Sequence, residues 1–319
     1  MTAATLRSER FRVVLAFACV YVIWGSTYLA IRFAVETMPP LLMAGIRFLI
    51  AGGLLYGWLA LRGEAPRPTR AQWRSAAILG ILLFVVGNGG VSWAETRVPS
   101  GLAALLVATI PFWIVILDWA RRGGTRPGAR TIVGIGAGFA GVLLLVGAHG
   151  PGGGIDHAGA AVLVVAPIGW ALGSVLSRRL PHPASHLQSG AMQMLAGGVA
   201  LCVVGLAIGE GPKLHAGALS ARSVLALFYL VFAGSIVAFS AYNWLLHAST
   251  PARVGTYAFV NPAVAVLLGW AFAGEPVGPN VLVAGAFILA GVVLIVVARA
   301  RPRAPGREPA GAAVTAEAK

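Results

Sequence analysis

Uncharged stretches recur along this chain at a length that matches the hydrocarbon core of a bilayer. They cover residues 13–31, 41–61, 75–94, 100–117, 131–147, 158–177, 187–209, 223–246, 254–274 and 280–298, and Arg47 is the one charged residue inside any of them. A helix of about 20 apolar residues spans the core, and lipid tolerates little else because every backbone polar group must be satisfied internally. With 58% hydrophobic and 11% charged residues, the chain has too little polar surface for a soluble domain. The connections are too short to hold one. The pattern predicts an all-α polytopic membrane protein with ten transmembrane helices.

The formal net charge of +14 would suggest nucleic acid in a soluble chain. Here its distribution points elsewhere. With the N-terminus assigned to the cytoplasm, 19 Lys and Arg fall in cytoplasmic connections and tails, against three outside (Arg97, Lys213 and Arg222). That bias follows the positive-inside rule and places both termini in the cytoplasm. No nucleic-acid partner is expected; the partners expected are membrane lipids and a small-molecule substrate. Cys19 and Cys202 fall within apolar spans and read as small buried hydrophobes, with no disulfide or metal role. The apolar run after Arg12 is long and has no convincing cleavage site, so it reads as a retained first span. Residues 300–319, rich in Pro, Ala, Gly and charge, read as a disordered basic cytoplasmic tail.

The chain echoes itself at an offset of about 150 residues. Trp24 precedes Arg32 by eight positions, as Trp170 precedes Arg178, and Gly25-Ser26 has its counterpart in Gly173-Ser174. The proline pair Pro99 and Pro111 is matched by Pro251 and Pro262, and Ala140–Val142 by Ala290–Val292. Residues 1–150 therefore read as one repeat of five spans and residues 151–299 as a second, joined near Pro151–Gly154. Five is odd, so the second repeat is inverted. Inverted repeats enclosing a site at their interface are a mark of secondary transporters.

The stretches WGSTYLAIR, PPLLMAGIRFLIAG, VGNGGVSWAE, VPSGLAALLVATIP, GWALGSVLSR and AFVNPAVAVLLGWAFAGE resemble the EamA-type drug/metabolite transporter superfamily, in its bacterial inner-membrane exporter branch. The resemblance covers roughly residues 10–298. It implies ten helices in two inverted five-helix repeats around a central cavity. It also implies a bacterial inner-membrane location and export or exchange of small metabolites, often amino acids or related compounds.

At 100° per residue Tyr21, Trp24, Gly25, Tyr28 and Arg32 share one stripe of the first helix. Such a stripe lines a cavity or packs against other helices through its small and polar members. On the third helix Phe84, Asn88, Ser92 and Glu95 align; Asn88 can donate and accept, which suits a zwitterionic or amide-bearing solute. The sixth gathers Pro167, Trp170, Ser174, Ser177 and Arg178. The eighth gathers Ser235, Phe239 and Tyr242, with Asn243 beside them. The cavity candidates are Tyr21, Trp24, Tyr28, Asn88, Ser92, Trp170, Ser174, Tyr242, Tyr257 and Asn261.

Pro111 and Pro262 each deprive a carbonyl (that of Val107 or Ala258) of its helical partner, and so mark a hinge, a kink or a substrate contact. Arg47 is the most costly residue to place in lipid. Glu95, at similar depth, is the partner expected to form an outer ion pair or gate with it. Glu36 is the alternative, and Arg32 competes for either acid. Gly134, Gly138 and Gly141 are spaced for close packing, within the bundle or at a homodimer contact.

None of the ten acids lies mid-bilayer, and the His residues sit in connections or near helix ends. This pattern favours a facilitator or exchanger over a tightly proton-coupled pump. An integral membrane enzyme acting on lipids would need clustered carboxylates, His or a metal site, and no such cluster occurs in the sequence. No cofactor, metal or catalytic residue is expected. The leading reading is a carrier for amino acids or similar neutral or zwitterionic solutes. The alternative is an exporter of lipophilic drugs or dyes, and an anion becomes a candidate if Arg47 or Arg32 points into the cavity.

Overall fold

The computed structural model describes residues 3–300 apart from 122, 123, 125, 148, 151, 152 and 155. The tail expected to be disordered lies almost wholly outside the described residues, as do two of the four residues expected to join the repeats. The described chain is built of helices, with one two-residue antiparallel ladder pairing His149–Gly150 with Gly153–Gly154. Among the described residues nine helices are long and apolar enough to cross a membrane: α1 Arg10–Ala34, α2 Pro40–Leu61, α3 Arg70–Ala94, α4 Ser100–Ala120, α5 Ala129–Gly147, α6 His157–Ser177, α7 His186–Ala207, α8 Ala221–Leu245 and α10 Pro279–Ala298. Between the last two lies α9, Tyr257–Ala273, apolar but shorter. It is short because the apolar run from 254 is interrupted: Pro251–Val254 forms its own turn of helix and the chain re-enters α9 through Gly255-Thr256.

Two close helix pairs, α2 with α7 and α5 with α10, flank the bundle, while α1 packs against α4, α8 and α9. Glycine allows the α5–α10 approach. A Cβ on Gly134 would stand 2.9 Å from the Gly291 carbonyl oxygen, and one on Gly141 would stand 2.6 Å from that of Ala284. The small-residue stripe of α5 is thus spent within the chain. Its remaining member, Gly138, faces the ring of Phe112.

Two spans depart from α-helical geometry at corresponding places. Within α3, Ile81–Gly89 winds as a π-helix, and within α8 so does Leu230–Val237. In each a polar side chain reaches back five residues. Asn88 Nδ2 donates to the Leu83 carbonyl (3.2 Å) and Ser235 Oγ to that of Leu230 (2.9 Å). A side-chain donor at that spacing occupies a carbonyl that the widened turn presents, and single π segments of this kind concentrate at functional sites.

At one end of the bundle two carboxylates cross between the repeats. Just past the end of α7 stands Gly209 and past that of α9 stands Gly274, both left-handed (φ 81° and 64°). Glycine adopts this conformation without penalty, and it turns the next residue back over the helix end. The next residue is Glu in both cases. Glu210 accepts from the backbone N–H of Leu41 (3.3 Å) and Leu42 (2.9 Å) at the start of α2. Glu275 accepts from Ser100 (2.6 Å) and Gly101 (2.9 Å) at the start of α4. Both α2 and α4 begin after a proline, Pro39 and Pro99, and their free N–H groups and positive dipole ends suit an anion. Around them Glu36 pairs with Arg222 (3.6 Å) and Ser223 Oγ donates to the Phe33 carbonyl (2.7 Å). At the opposite end the corresponding Gly63-Glu64 also turns at positive φ. There Glu64 is exposed and, among the described residues, pairs with Arg62 (3.8 Å).

Candidate functional site

A cavity of about 530 Å³ lies between the repeats, and among its lining residues α5 alone of the ten helices contributes none. It runs from exposed Arg178 and the Val254-Gly255 turn at one end to Ile31 and Val91 at the other. Beyond Ile31 and Val91 the buried side chains of Met38, Val98 and Leu102 close the bundle. That closed end is the one clasped by Glu210 and Glu275.

One wall is aromatic. Trp24 from α1 stands 5.0 Å from the ring of Tyr242 and 5.4 Å from that of Tyr257, and those two tyrosines meet edge to face at 5.7 Å. The Trp24 indole donates to the Gly234 carbonyl (3.1 Å), in the π segment of α8, which fixes the ring plane. Gly25 lets α9 approach behind it: a Cβ there would stand 2.7 Å from Val264. On the facing wall Trp170 lies over Gly87, whose Cβ would stand 3.1 Å from the indole. Glycine in the π segment of α3 thus makes room for the second tryptophan.

The cavity is lined by Trp24, Tyr28, Asn88, Trp170, Tyr242, Tyr257 and Asn261, together with Pro111, Pro262 and Arg47. Tyr21, Ser92, Ser174 and Glu95 are not part of the lining. The hydroxyls of Tyr21 and Thr256 share a hydrogen bond, which ties α1 to the start of α9. Ser92 is buried. Ser174 Oγ turns back to the Trp170 carbonyl (2.8 Å). Pro111 opens the second part of α4, which breaks at Ala108-Thr109, while Pro262 lies inside α9. Val107 and Ala258, whose carbonyls the prolines release, both line the cavity. Asn261 is buried with its Oδ1 lacking a hydrogen-bond partner.

Arg47 and Glu95 do not form the expected contact. Arg47 is buried; its Nε donates to Ser235 Oγ (2.9 Å) and its guanidinium lies 4.7 Å from the centre of the Phe48 ring. Glu95 is wholly buried, and neither carboxylate oxygen has a hydrogen-bond partner. Arg32 reaches the backbone carbonyl of Glu95 (2.7 Å), not its carboxylate, and Glu36 is taken by Arg222. Matching depth brought these charges to one level, but helix rotation sends them to different neighbours. Sequence reasoning also missed the clasps of Glu210 and Glu275. Their signal was legible as Gly-Glu directly after an apolar span.

The EamA-like transporter family matches this chain twice, over residues 11–147 and 157–297. An uncharacterized inner membrane transporter of Escherichia coli (strain K12), YedA, is 42% identical over 291 residues, covering 90% of this chain and 92% of its own. A probable amino-acid metabolite efflux pump of Salmonella typhimurium (strain LT2) is 26% identical over 284 residues, 84% of this chain and 91% of its own. One solved crystal structure, 19% identical, covers 92% of this chain and all of its own with a TM-score of 0.60, a likeness of fold alone. The double match, with both copies contributing to the cavity lining, and the relative matched over nine-tenths of its length place the chain in a single group: the protein belongs to the EamA-like transporter family.

Proposed function

We propose that this protein is a secondary transporter that exports or exchanges small organic metabolites, foremost amino acids or similar neutral or zwitterionic solutes. Transport proceeds by alternating access of two inverted five-helix repeats, residues 1–150 and 151–299, with α9 counted as a tenth span. The observation that carries the reading is the cavity between the two family matches, closed at one end and reaching exposed Arg178 at the other. The paired π segments, 147 positions apart at Asn88 and Ser235, support a duplicated origin. Arginine distribution supports cytoplasmic termini, so the end at Arg178 faces the cytoplasm and the cavity stands ready to load from inside. The inner membrane is the location carried by the relative's name.

An amino-acid substrate suits a cavity with a tryptophan–tyrosine wall and the single unpaired acceptor of Asn261. The relative named a probable amino-acid metabolite efflux pump adds support. Among the described charged residues, only Arg47 and Arg178 line the cavity; a carrier without an acid among its described lining residues fits a facilitator or exchanger. Lipophilic drugs or dyes are the second reading, favoured by the aromatic wall.

The test is counterflow in proteoliposomes preloaded with unlabelled amino acids, following uptake of labelled ones with and without a pH gradient. Accumulation of a labelled amino acid that is indifferent to the gradient and lost in Trp24→Ala is the expected result. Strict dependence on the gradient overturns the facilitator reading. Absence of flux for every amino acid, with flux of a lipophilic dye, replaces the substrate class.

A further inference from the structure

Arg47 is a buried cation that no carboxylate among the described residues meets directly. Its guanidinium makes one hydrogen bond, through Nε to Ser235 Oγ, out of the five N–H donors it carries. Glu95 lies at the same end of the bundle, but its oxygens meet no donor and it does not line the cavity, whereas Arg47 does. A guanidinium so placed is desolvated without full compensation, and a fork of donors in a site of reduced dielectric matches one ligand group above others, the planar carboxylate.

The surroundings set what else that ligand carries. Gly234 is the meeting point: a Cβ built on it would stand 3.3 Å from Arg47 Nη2, and its carbonyl holds the Trp24 indole. A solute whose carboxylate is held by Arg47 therefore has its next few atoms against Trp24, Tyr242 and Tyr257. The ring faces accept either an apolar chain or an ammonium.

We infer that Arg47 is the carboxylate-binding residue of the cavity, and that the transported solutes are small carboxylates with an apolar body, amino acids among them. The inference rests on the transporter reading and narrows it: the carboxylate is obligatory and the ammonium is not. It also disfavours lipophilic cations, since the lining presents cationic groups and no acid to them.

Four compounds that share the isobutyl side chain of leucine separate the groups: leucine, leucinamide, 4-methylpentanoate and isoamylamine. None absorbs where tryptophan emits, so quenching of intrinsic fluorescence, with Trp24 and Trp170 in the cavity wall, reports binding to the full chain in detergent. Flux of each compound from proteoliposomes is measured alongside. Leucine and 4-methylpentanoate are expected to bind at least about tenfold more tightly than leucinamide and isoamylamine, the scale of one charge-assisted contact. Arg47→Gln is expected to bring the four within about twofold of one another, with Arg47→Lys intermediate because a point charge replaces the fork. The wild-type series stands by itself should the Gln variant fail to fold. Equal binding of all four compounds, tighter binding of the amines, or an unchanged preference in a folded Arg47→Gln overturns the inference while leaving the transporter reading intact. If no compound binds or moves, and the wider amino-acid counterflow is also silent, both fall.

Discussion

Breaking the Glu275 clasp is expected to open the end of the cavity that the structure holds shut. The carboxylate comes from the second repeat and accepts from Ser100 N and Gly101 N of the first, at 2.6 and 2.9 Å. If the repeats move against each other, these bonds exist only while that end is closed. A hydrogen bond to a charged group contributes about 1.5–3 kcal/mol, and a negative charge at a helix N-terminus about 0.3–1 kcal/mol. Glu275→Gln removes the charge and faces one backbone N–H with an amide donor. Because the side chain is only partly buried, we take a loss of about 2 kcal/mol. That is about a thirtyfold shift toward the conformation open at this end.

The assay places a single cysteine at Val91, a lining residue at the closed end, in a Cys19→Ala, Cys202→Ala background. A membrane-impermeant maleimide is then applied from the side of the clasp. The labelling rate is expected to rise about thirtyfold with Glu275→Gln. A second route avoids touching the acid. A Cβ at Gly269 would stand 2.3 Å from Glu275 Oε2, so Gly269→Ala should displace the carboxylate and raise labelling in the same direction. Labelling within twofold of the parent in both variants, each still folded, would falsify the view that this clasp holds the end closed.

Three further outcomes follow from the same geometry. Glu210 is buried with both oxygens bonded to α2, where α2 and α7 pack closely; Glu210→Ala should cost about 2–4 kcal/mol by stranding two buried N–H groups, seen as an earlier thermal transition in detergent. Gly138→Ala should lower thermal stability by about 1–3 kcal/mol, because its Cβ would stand about 2 Å from the ring of fully buried Phe112; adding Phe112→Leu should recover part of that loss, and a purely additive pair would count against the contact. Glu95→Gln removes an acid whose oxygens find no donor, so its thermal transition should hold or rise and gradient-free counterflow should continue; loss of exchange in a folded Glu95→Gln would instead make this carboxyl part of the transport cycle.

Much of the architecture was legible because lipid reduces secondary structure to a count of apolar windows. The site was legible where helices run regularly. On α1 the 100° stripe leads from Trp24 to Tyr28, and both line the cavity. On α3 the same arithmetic placed Phe84, Asn88, Ser92 and Glu95 on one face, yet only the first two reach the lining. The π segment Ile81–Gly89 lies across that stripe; each widened turn takes more residues than 3.6, so positions beyond it rotate away from where an α-helix would put them. No periodicity announces such a segment beforehand. Arg47 shows a second limit. Its depth could be read from its place in the span, but its contact with Ser235 depends on how α2 and α8 are rotated. Pairing by depth therefore named Glu95, a residue of the right level and the wrong azimuth.

The duplicated halves also leave the two ends unequal in a way that bears on function. Gly209-Glu210 and Gly274-Glu275 both lie in the second repeat and grip the first. The position answering to Glu210 holds Glu64, which stays exposed, and the position answering to Glu275 holds Gly124, which has no carboxylate to offer. If the halves alternate as proposed, the opposite end must close in its turn without these bonds. A carrier built this way idles with one gate bolted and returns to that posture after each cycle. Solute arriving from the unbolted side meets a site already formed, while solute from the other side must first recruit a scarce conformation. Its apparent affinity falls by that scarcity. Half-saturation measured on the two faces of the membrane should then differ with no difference in the site itself, and a facilitator with no energy source would still be tuned to work from one compartment.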